Sequence, residues 1–306
     1  MKLSSDAQQR ARSFVMQQGR PLEQALYQHH FEGGPAEAVL GELAHFQNDD
    51  GGFGHGLEPD LRLAGSSVIV TTVALQYLRV LGAGEDNFLV QGAIRYLMAT
   101  YDSALEVWPI IPSTVDEAPH APWWAYDDQL AERWHGFKAN PRAEIVGYLF
   151  EYPNLSPASL RKDLGEAVAA YLETFAEKVE THDLLCYVRL VQTPALPEPL
   201  RSWLLLRLAP VVDRVVAREP SAWAQYGLKP LWVAGSPDSP FAGQLAGAIE
   251  RNLDYEIEQQ GADGAWAPSW TWFGQYDETW PQAEREWKGV LTIKTLLQLR
   301  SFGRFE

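Results

Sequence analysis

The chain of 306 residues has very little cysteine and comparatively little positive charge. Its single cysteine, Cys186, excludes an internal disulfide and a cysteine-based zinc ribbon. Lysine and arginine total 25 against 40 aspartate and glutamate residues, which gives a net charge of −15. Because nucleic acids and anionic lipid surfaces are bound through clustered basic side chains, we expect neither as a partner.

Long apolar runs and leader sequences are also missing. The longest apolar run, from Trp203 to Val212, is interrupted by Arg207 and Pro210 and falls far short of the roughly 20 residues that a membrane span needs. The first residues have no apolar stretch after their basic residue and no small-residue cleavage site, so they do not read as a signal peptide. We therefore expect a cytoplasmic protein without a membrane span.

Strand signals are nearly absent, and helical periodicity dominates the chain. The segment Ser66–Leu81 is apolar nearly all round, as in a buried helix, and Asp86–Tyr101 opens with an acidic cap before apolar residues at helical spacing. Pro21 and Pro35 each stand where a first helical residue would. Such segments predict about 11 or 12 helices joined by short Pro- or Gly-marked turns. We predict one all-α domain over residues 1–306, built from about six helical hairpins as in a closed ring or short solenoid.

Two segments, 102–140 and 262–280, lack this periodicity and are long for loops inside a compact domain. Both are rich in aromatic residues, whereas disordered segments are poor in them, so we predict ordered binding segments that cap one face of the domain. Indole and phenol faces attract cations, stack on sugar rings and hold apolar chains. The residues that we expect to contact a ligand are Trp123, Trp124, Trp270, Trp272, Tyr276 and His120.

A short pattern occurs once near each end of the chain. It reads Gln47-Asn-Asp-Asp-Gly-Gly-Phe53 and Gln260-Gly-Ala-Asp-Gly-Ala-Trp266, so both copies have Gln-x-x-x-Gly-x-aromatic with Asp before the glycine. At a helix end, the glutamine can bond unpaired carbonyls and the glycine permits left-handed backbone geometry. We therefore predict that both copies tie helices together.

This pattern resembles the Gln-Trp repeat of the terpenoid cyclases and of protein prenyltransferase β subunits. The resemblance implies an α/α toroid of concentric helices for the whole chain. It also implies an enzyme that acts on an isoprenoid or another apolar substrate in a central, aromatic-lined cavity. The basic residue that usually precedes the glutamine of this repeat is not matched at Gln47.

The catalytic motifs of that superfamily are not matched. The Asp-x-Asp-Asp motif of the class II cyclases is absent, and the string His182-Asp183-Leu-Leu-Cys186 lacks the Asp-x-Cys spacing of the prenyltransferase zinc ligands. Asp127-Asp128-Gln-Leu-Ala-Glu132 is only loosely similar to the magnesium-binding motif of the class I synthases. We therefore predict neither a metal site nor a cofactor.

The densest group of candidate catalytic side chains lies in Asp50-Gly-Gly-Phe-Gly-His55-Gly-Leu-Glu58-Pro-Asp60-Leu-Arg62. The glycines let the backbone approach a ligand closely, and a histidine beside a carboxylate is a plausible acid or base near neutral pH. We predict Asp50, His55, Glu58 and Asp60 as catalytic residues. The structural alternative is that Asp60 caps the next helix or pairs with Arg62.

Two other functions remain open on the same fold. Helical toroids also serve carbohydrate hydrolases and lyases, in which carboxylates act on a sugar held between tryptophan faces. A toroid can also bind a small ligand or a partner without catalysing a reaction. The predicted partner is in each case a small apolar or sugar-like molecule, and no oligomeric state is predicted.

Overall fold

The computed structural model describes all 306 residues, and they form an all-helical protein. The α-helices are α1 (Ser5–Gln18), α2 (Pro21–Glu32), α3 (Ala36–Ala44), α4 (Val68–Val80), α5 (Phe88–Ala99), α6 (Leu130–Arg133), α7 (Arg142–Glu151), α8 (Ala158–Phe175), α9 (Thr181–Val191), α10 (Glu198–Val215), α11 (Pro220–Trp223), α12 (Pro230–Val233), α13 (Ala242–Glu258) and α14 (Trp280–Ser301). Five short 3₁₀-helices accompany them, and β-structure is limited to isolated bridges. None of the helices combines the length and the apolar composition needed to cross a membrane. The all-α prediction is confirmed.

The chain folds as two compact units. Unit 1 comprises Met1–His45 and Val216–Glu306, and it contains α1–α3 and α11–α14. Unit 2 comprises Phe46–Val215 and contains α4–α10. The toroid, the single domain over residues 1–306 and the capping of one face by segments 102–140 and 262–280 stay predictions.

Unit 2 is organised around α7. This helix packs against α4, α8 and α9, and α9 packs in turn against α10. Every residue from Arg142 to Leu149 is buried, which is the pattern of a helix that is covered on all sides. The polar side chains of α7 therefore need partners inside the protein, because burying an uncompensated polar group is costly.

Unit 1 is organised around α14, the longest helix. It packs against α1 and α2, while α2 contacts α3 and α12 contacts α13. The two ends of the chain pair within this unit, since Leu3 N donates to the Arg304 carbonyl (2.7 Å) and Glu306 N donates to the Leu3 carbonyl (3.1 Å). The amino group of Met1 also lies 2.6 Å from Asp254 Oδ1. Both terminal segments are thus part of one packed unit.

Helix starts agree with the sequence to within three residues. Pro21 is the first residue of α2, as predicted, whereas Pro35 immediately precedes α3 and occupies its N-cap position. The N-cap of α5 is Asn87, whose side chain accepts a hydrogen bond from Leu89 N (2.9 Å). The expected acidic cap at Asp86 was therefore wrong by one residue, because asparagine at the extended cap position satisfies the first free N–H group.

The first copy of the repeated pattern forms a tight loop in unit 2. The Gln47 side-chain amide donates to the Gly51 carbonyl (2.9 Å) and to the Leu89 carbonyl at the start of α5 (3.1 Å). Gly51 has a φ of 90°, and a Cβ added to it would lie 2.4 Å from the Gly92 carbonyl oxygen. Glycine is required here for both its backbone angle and its lack of a side chain.

The second copy makes the same contacts in unit 1. The Gln260 amide donates to the Gly264 carbonyl (2.9 Å) and to the Ala7 carbonyl in α1 (2.8 Å). Gly264 has a φ of 92°, and its added Cβ would lie 2.4 Å from the Arg10 carbonyl oxygen. The helix-tying contacts predicted from the residues are present in both copies, while membership of the cyclase superfamily stays a prediction.

The aromatic residue that ends each copy is buried against a following helix. Phe53 N donates to Thr71 Oγ1 of α4 (3.0 Å), and Trp266 N donates to Thr292 Oγ1 of α14 (3.2 Å). In both copies a buried threonine side chain accepts the hydrogen bond of the aromatic residue's backbone N–H group. The helix supplies this acceptor through a side chain because its own backbone carbonyls are already paired.

Candidate functional site

Two of the predicted catalytic residues lie at the surface of the first repeat loop. Asp50 Oδ1 accepts hydrogen bonds from Gly52 N (2.9 Å) and from Ser66 Oγ (2.7 Å). His55 is exposed, has a φ of 55° and places Nε2 2.9 Å from Asn48 Oδ1. The contacts of Asp50 close the loop, which is the work of a structural residue, and a catalytic role for Asp50 and His55 stays a prediction.

The other two predicted catalytic residues are buried in the next turn. Glu58 is 8% exposed and Asp60 is 2% exposed. The Arg62 guanidinium lies against the backbone of this turn, since a Cβ added to Gly56 would be 2.9 Å from its Cζ atom. Two buried carboxylates and a half-buried guanidinium thus lie within five residues, and buried charges must be compensated locally.

The structure brings His120 next to this turn. Leu61 pairs with His120 in an antiparallel bridge, and Ala121 N donates to the Asp60 carbonyl (2.8 Å). His120 is buried, with Nδ1 2.8 Å from the Ala118 carbonyl and Nε2 3.4 Å from Asp116 Oδ1. Since a carbonyl only accepts, Nδ1 of this imidazole carries a proton.

A wall of aromatic rings continues from this segment. The rings of Trp124 and Trp134 stack with their centroids 5.3 Å apart and their planes at 11°. His182 of α9 meets Trp134 edge to face at 6.1 Å. Trp124 is buried, Trp134 and the predicted ligand contact Trp123 are half-buried, and His182 is exposed. We call Trp124, Trp134 and His182 the indole wall.

The imidazole of His182 is neutral at pH 7. Desolvation by the surrounding protein, helped by the positive charge of Arg189, lowers the pKa of His182 to about 4. The same side chain nevertheless keeps exposed surface. His182 is therefore accessible to solvent at the surface beside Trp134.

A histidine–carboxylate pair adjoins the indole wall. His135 Nδ1 lies 3.1 Å from Asp183 Oδ2, and the Asp183 side chain is only 6% exposed. Burial raises the pKa of Asp183, against the opposing effects of a hydrogen bond from Glu180 N and of His135. The carboxylate that accepts from Nδ1–H leaves Nε2 of His135 to act as the proton acceptor.

The backbone of His135 is strained. His135, Gly136 and Phe137 have consecutive φ angles of 50°, 64° and 60°. Residues other than glycine adopt this left-handed conformation at a cost, and such conformations persist where the surrounding structure enforces them, often at functional sites. The strain thus coincides with the residue pair that has acid–base geometry.

A buried polar network lies behind the wall, between α7 and α9. Glu144 is 1% exposed and accepts hydrogen bonds from Tyr148 Oη (2.6 Å), Gln76 Nε2 (2.9 Å) and Arg189 Nη1 (2.9 Å). Burial raises the pKa of the Cys186 thiol, whose Sγ is 3.7 Å from Glu144 Oε2. A buried neutral thiol is a poor nucleophile, so Cys186 is a packing residue.

From the sequence, His182 and Cys186 were considered only as metal ligands, and Arg189 was not considered. His182, Cys186 and Arg189 follow one another at i, i+4 and i+7 and so share one face of α9. That spacing, together with Glu144 on a helix buried all round, was the available signal. Nothing in the sequence indicated that Trp134 would stack on Trp124.

Metal ligation has no candidate in the structure, since nowhere do three or more His, Cys, Asp or Glu side chains come together in a group that could hold an ion. No family model matches the chain. No curated protein and no solved structure matches it at a significant level.

Of the predicted ligand contacts in unit 1, Trp272 fills the interior. It is 1% exposed and packs against Trp280 (5.7 Å between ring centroids) and Tyr276 (6.3 Å). Tyr276 is 41% exposed and has a φ of 50°. In this structure Trp272 has the position of a core residue, and Tyr276 has that of a surface residue held in a strained turn.

The third predicted contact, Trp270, belongs to a half-exposed aromatic cluster of unit 1. Its ring meets Trp287 at 5.0 Å and Tyr226 at 5.5 Å, both edge to face. Tyr226 also meets Trp232 at 6.3 Å, and the Lys294 ammonium lies 4.4 Å from the centre of that indole ring. A cation of the chain itself thus occupies one aromatic face of the cluster. A ligand contact by Trp270 stays a prediction.

Proposed function

We propose that this protein is an enzyme that acts on an apolar, isoprenoid-like substrate at the indole wall of unit 2. The observation that carries the proposal is the hydrogen bond between His135 and Asp183 directly beside the stacked indoles. Trp134 and His135 are consecutive residues, as are His182 and Asp183, so each side of the histidine–carboxylate pair is attached to a member of the wall.

The chemistry follows from these groups. Aromatic faces hold an apolar chain and stabilise positive charge that develops on it. His135, oriented by Asp183, accepts or returns a proton through Nε2. His182 is neutral at pH 7 because of its lowered pKa, and it adds a second proton acceptor without bringing a positive charge to the site.

Several sequence predictions belong to the same proposal. The chain takes the α/α toroid fold of the terpenoid cyclase and prenyltransferase superfamily, acts in the cytoplasm and uses no cofactor. Glu58 and Asp60 supply further acidic groups, and the bridge between Leu61 and His120 supports their place near the wall. The 118–124 segment joins His120 to Trp124 and so connects the two groups of residues.

Turnover by the intact protein tests the proposal. We expect a product from at least one isoprenoid when the protein is incubated separately with squalene, farnesol and geranylgeraniol and the extracts are analysed by mass spectrometry. His135→Gln should lower the rate by about 100-fold or more, since a positioned general base contributes about that much. Trp203→Phe is the matched control, because Trp203 is half-buried on α10 and faces Arg207.

The alternatives predict different results. Hydrolysis or cleavage of an oligosaccharide, with no conversion of the isoprenoids, would establish the carbohydrate-active alternative. Full activity in His135→Gln would show that the pair does not transfer the proton. Tight binding without turnover would indicate a binding protein.

A further inference from the structure

The indole N–H groups of this protein fall into two classes. Buried tryptophans that serve packing donate to backbone carbonyls, as most buried tryptophan N–H groups do. They are Trp108, Trp223 and Trp266, which donate to the carbonyls of Leu97 (2.6 Å), Ala217 (2.8 Å) and Glu256 (2.7 Å). These indoles complete their hydrogen bonding within the fold.

The two indoles of the wall form the other class in unit 2, and Trp287 of unit 1 also belongs to it. The Nε1 atoms of Trp124 and Trp134 are both buried and have no acceptor in the protein. Trp124 as a whole is only 6% exposed. A buried donor without an acceptor is costly, so two of them on stacked rings at a candidate site require an explanation.

We propose that the Trp124 and Trp134 N–H groups bind an oxygen atom of the substrate. The proposal rests on the proposed function and narrows its substrate class. The substrate is an apolar molecule with a hydroxyl or carbonyl oxygen at one end, not a pure hydrocarbon. The indole faces hold its apolar part, and one or both N–H groups hold its oxygen.

A neutral oxygen fits this place better than a carboxylate or a phosphate. The indole donors carry no charge, and the neighbouring imidazole of His182 is neutral at pH 7. Asp183 directly follows His182 in the first turn of α9, and Arg189 is paired with Glu144. An anionic group would therefore meet repulsion without a free counter-charge among these residues.

Access to the two nitrogen atoms requires a movement of one ring. Both atoms are covered in the free protein, and Trp134 is the half-buried member of the pair. It directly precedes the left-handed turn of residues 135–137. The substrate oxygen therefore reaches the donors when the Trp134 ring turns aside.

A matched pair of probes tests this inference on the full-length protein. Farnesol and β-farnesene have chains of the same carbon number, but only farnesol has an oxygen. We expect isothermal titration calorimetry to give a dissociation constant at least tenfold lower for farnesol. Trp124→Phe and Trp134→Phe keep an aromatic ring without the N–H group, so each should reduce this preference, and the double variant should bring it within twofold.

Three outcomes are decisive. The control variant Trp203→Phe should retain the full preference for farnesol. Circular dichroism should show that the Phe variants are folded. If Trp124→Phe, at the buried position, does not fold, Trp134→Phe alone tests the inference. Equal binding of the two probes by the wild-type protein overturns the inference but leaves the proposed function standing, as does a preference unchanged in the Phe variants. If neither probe binds, the proposed function fails and the inference fails with it.

Discussion

The close approach of Gly51 to α5 makes a quantitative prediction about stability. In Gly51→Ala the new methyl group would lie 2.4 Å from the Gly92 carbonyl oxygen, a backbone atom that cannot rotate away. The left-handed backbone costs an L-residue about 1–2 kcal/mol, and forcing a methyl group into a packed site adds about 1–3 kcal/mol. Alanine also restricts the unfolded chain, which returns about 0.4–1 kcal/mol. We expect a net loss of roughly 2–4 kcal/mol from these three effects.

Gly82→Ala is the matched control within unit 2. Gly82 has a φ of 67°, and a Cβ added there has no atom within 4 Å. Only the backbone cost and the unfolded-state effect apply, so the expected loss is about 1 kcal/mol or less. The difference between the variants therefore measures the steric effect of the close approach alone.

Thermal unfolding followed by far-ultraviolet circular dichroism is a suitable assay. For domains of about 150–250 residues, 1 kcal/mol shifts the midpoint by roughly 2–4 °C. Gly51→Ala should thus melt roughly 5–15 °C below the wild-type protein, and Gly82→Ala within about 4 °C of it. Equal losses in the two variants would refute the reasoning, because they would show that the backbone angle alone matters at Gly51.

Three further predictions concern the site. Glu144→Ala leaves Arg189 without its buried carboxylate and should lower the free energy of unfolding, measured by urea titration, by about 3 kcal/mol. Adding Arg189→Met should restore part of the lost stability, because it removes the unpaired charge. The pKa of His182 is lowered to about 4 in the folded state, so between pH 6.5 and 4 the unfolded chain takes up a proton first and stability falls as the pH drops. After allowance for the exposed ring the contribution of His182 to this fall is about 1 kcal/mol, and the fall should be smaller by that amount in His182→Gln. Asp183→Asn should reduce the population of the Nδ1–H tautomer of His135 in ¹⁵N spectra, and an unchanged tautomer would contradict the orienting role.

The helices were predictable from the sequence because their signals are local. Pro21 was predicted to begin a helix and is the first residue of α2, and the repeat loops form the contacts that their residues indicated. The four-residue helices α6 and α12 were missed. A single helical turn is too short to show a period, so tertiary contacts decide whether it forms.

The site was less predictable because its groups come together only through tertiary packing. His135 and Asp183 are 48 residues apart, and their hydrogen bond depends on how segment 102–140 meets the start of α9. From the sequence we predicted a catalytic pair of His55 with Glu58 or Asp60, whereas the structure shows His55 hydrogen-bonded to Asn48. Proximity in the chain indicated the first pair, but it does not fix where side chains point.

The division of unit 1 has a consequence for synthesis on the ribosome. Helices α1–α3 emerge before the whole of unit 2, while the helix that covers α1 and α2, α14, is made last. Translation of the intervening 46–215 segment at about 5–20 residues per second takes roughly 10–30 s. During that time unit 2, continuous in sequence, can fold, but the apolar face of α1 that includes Phe14 and Val15 has α2 for a partner and still lacks α14. The nascent chain therefore carries a partly uncovered apolar helix face throughout most of its translation, which makes it a client for holding chaperones.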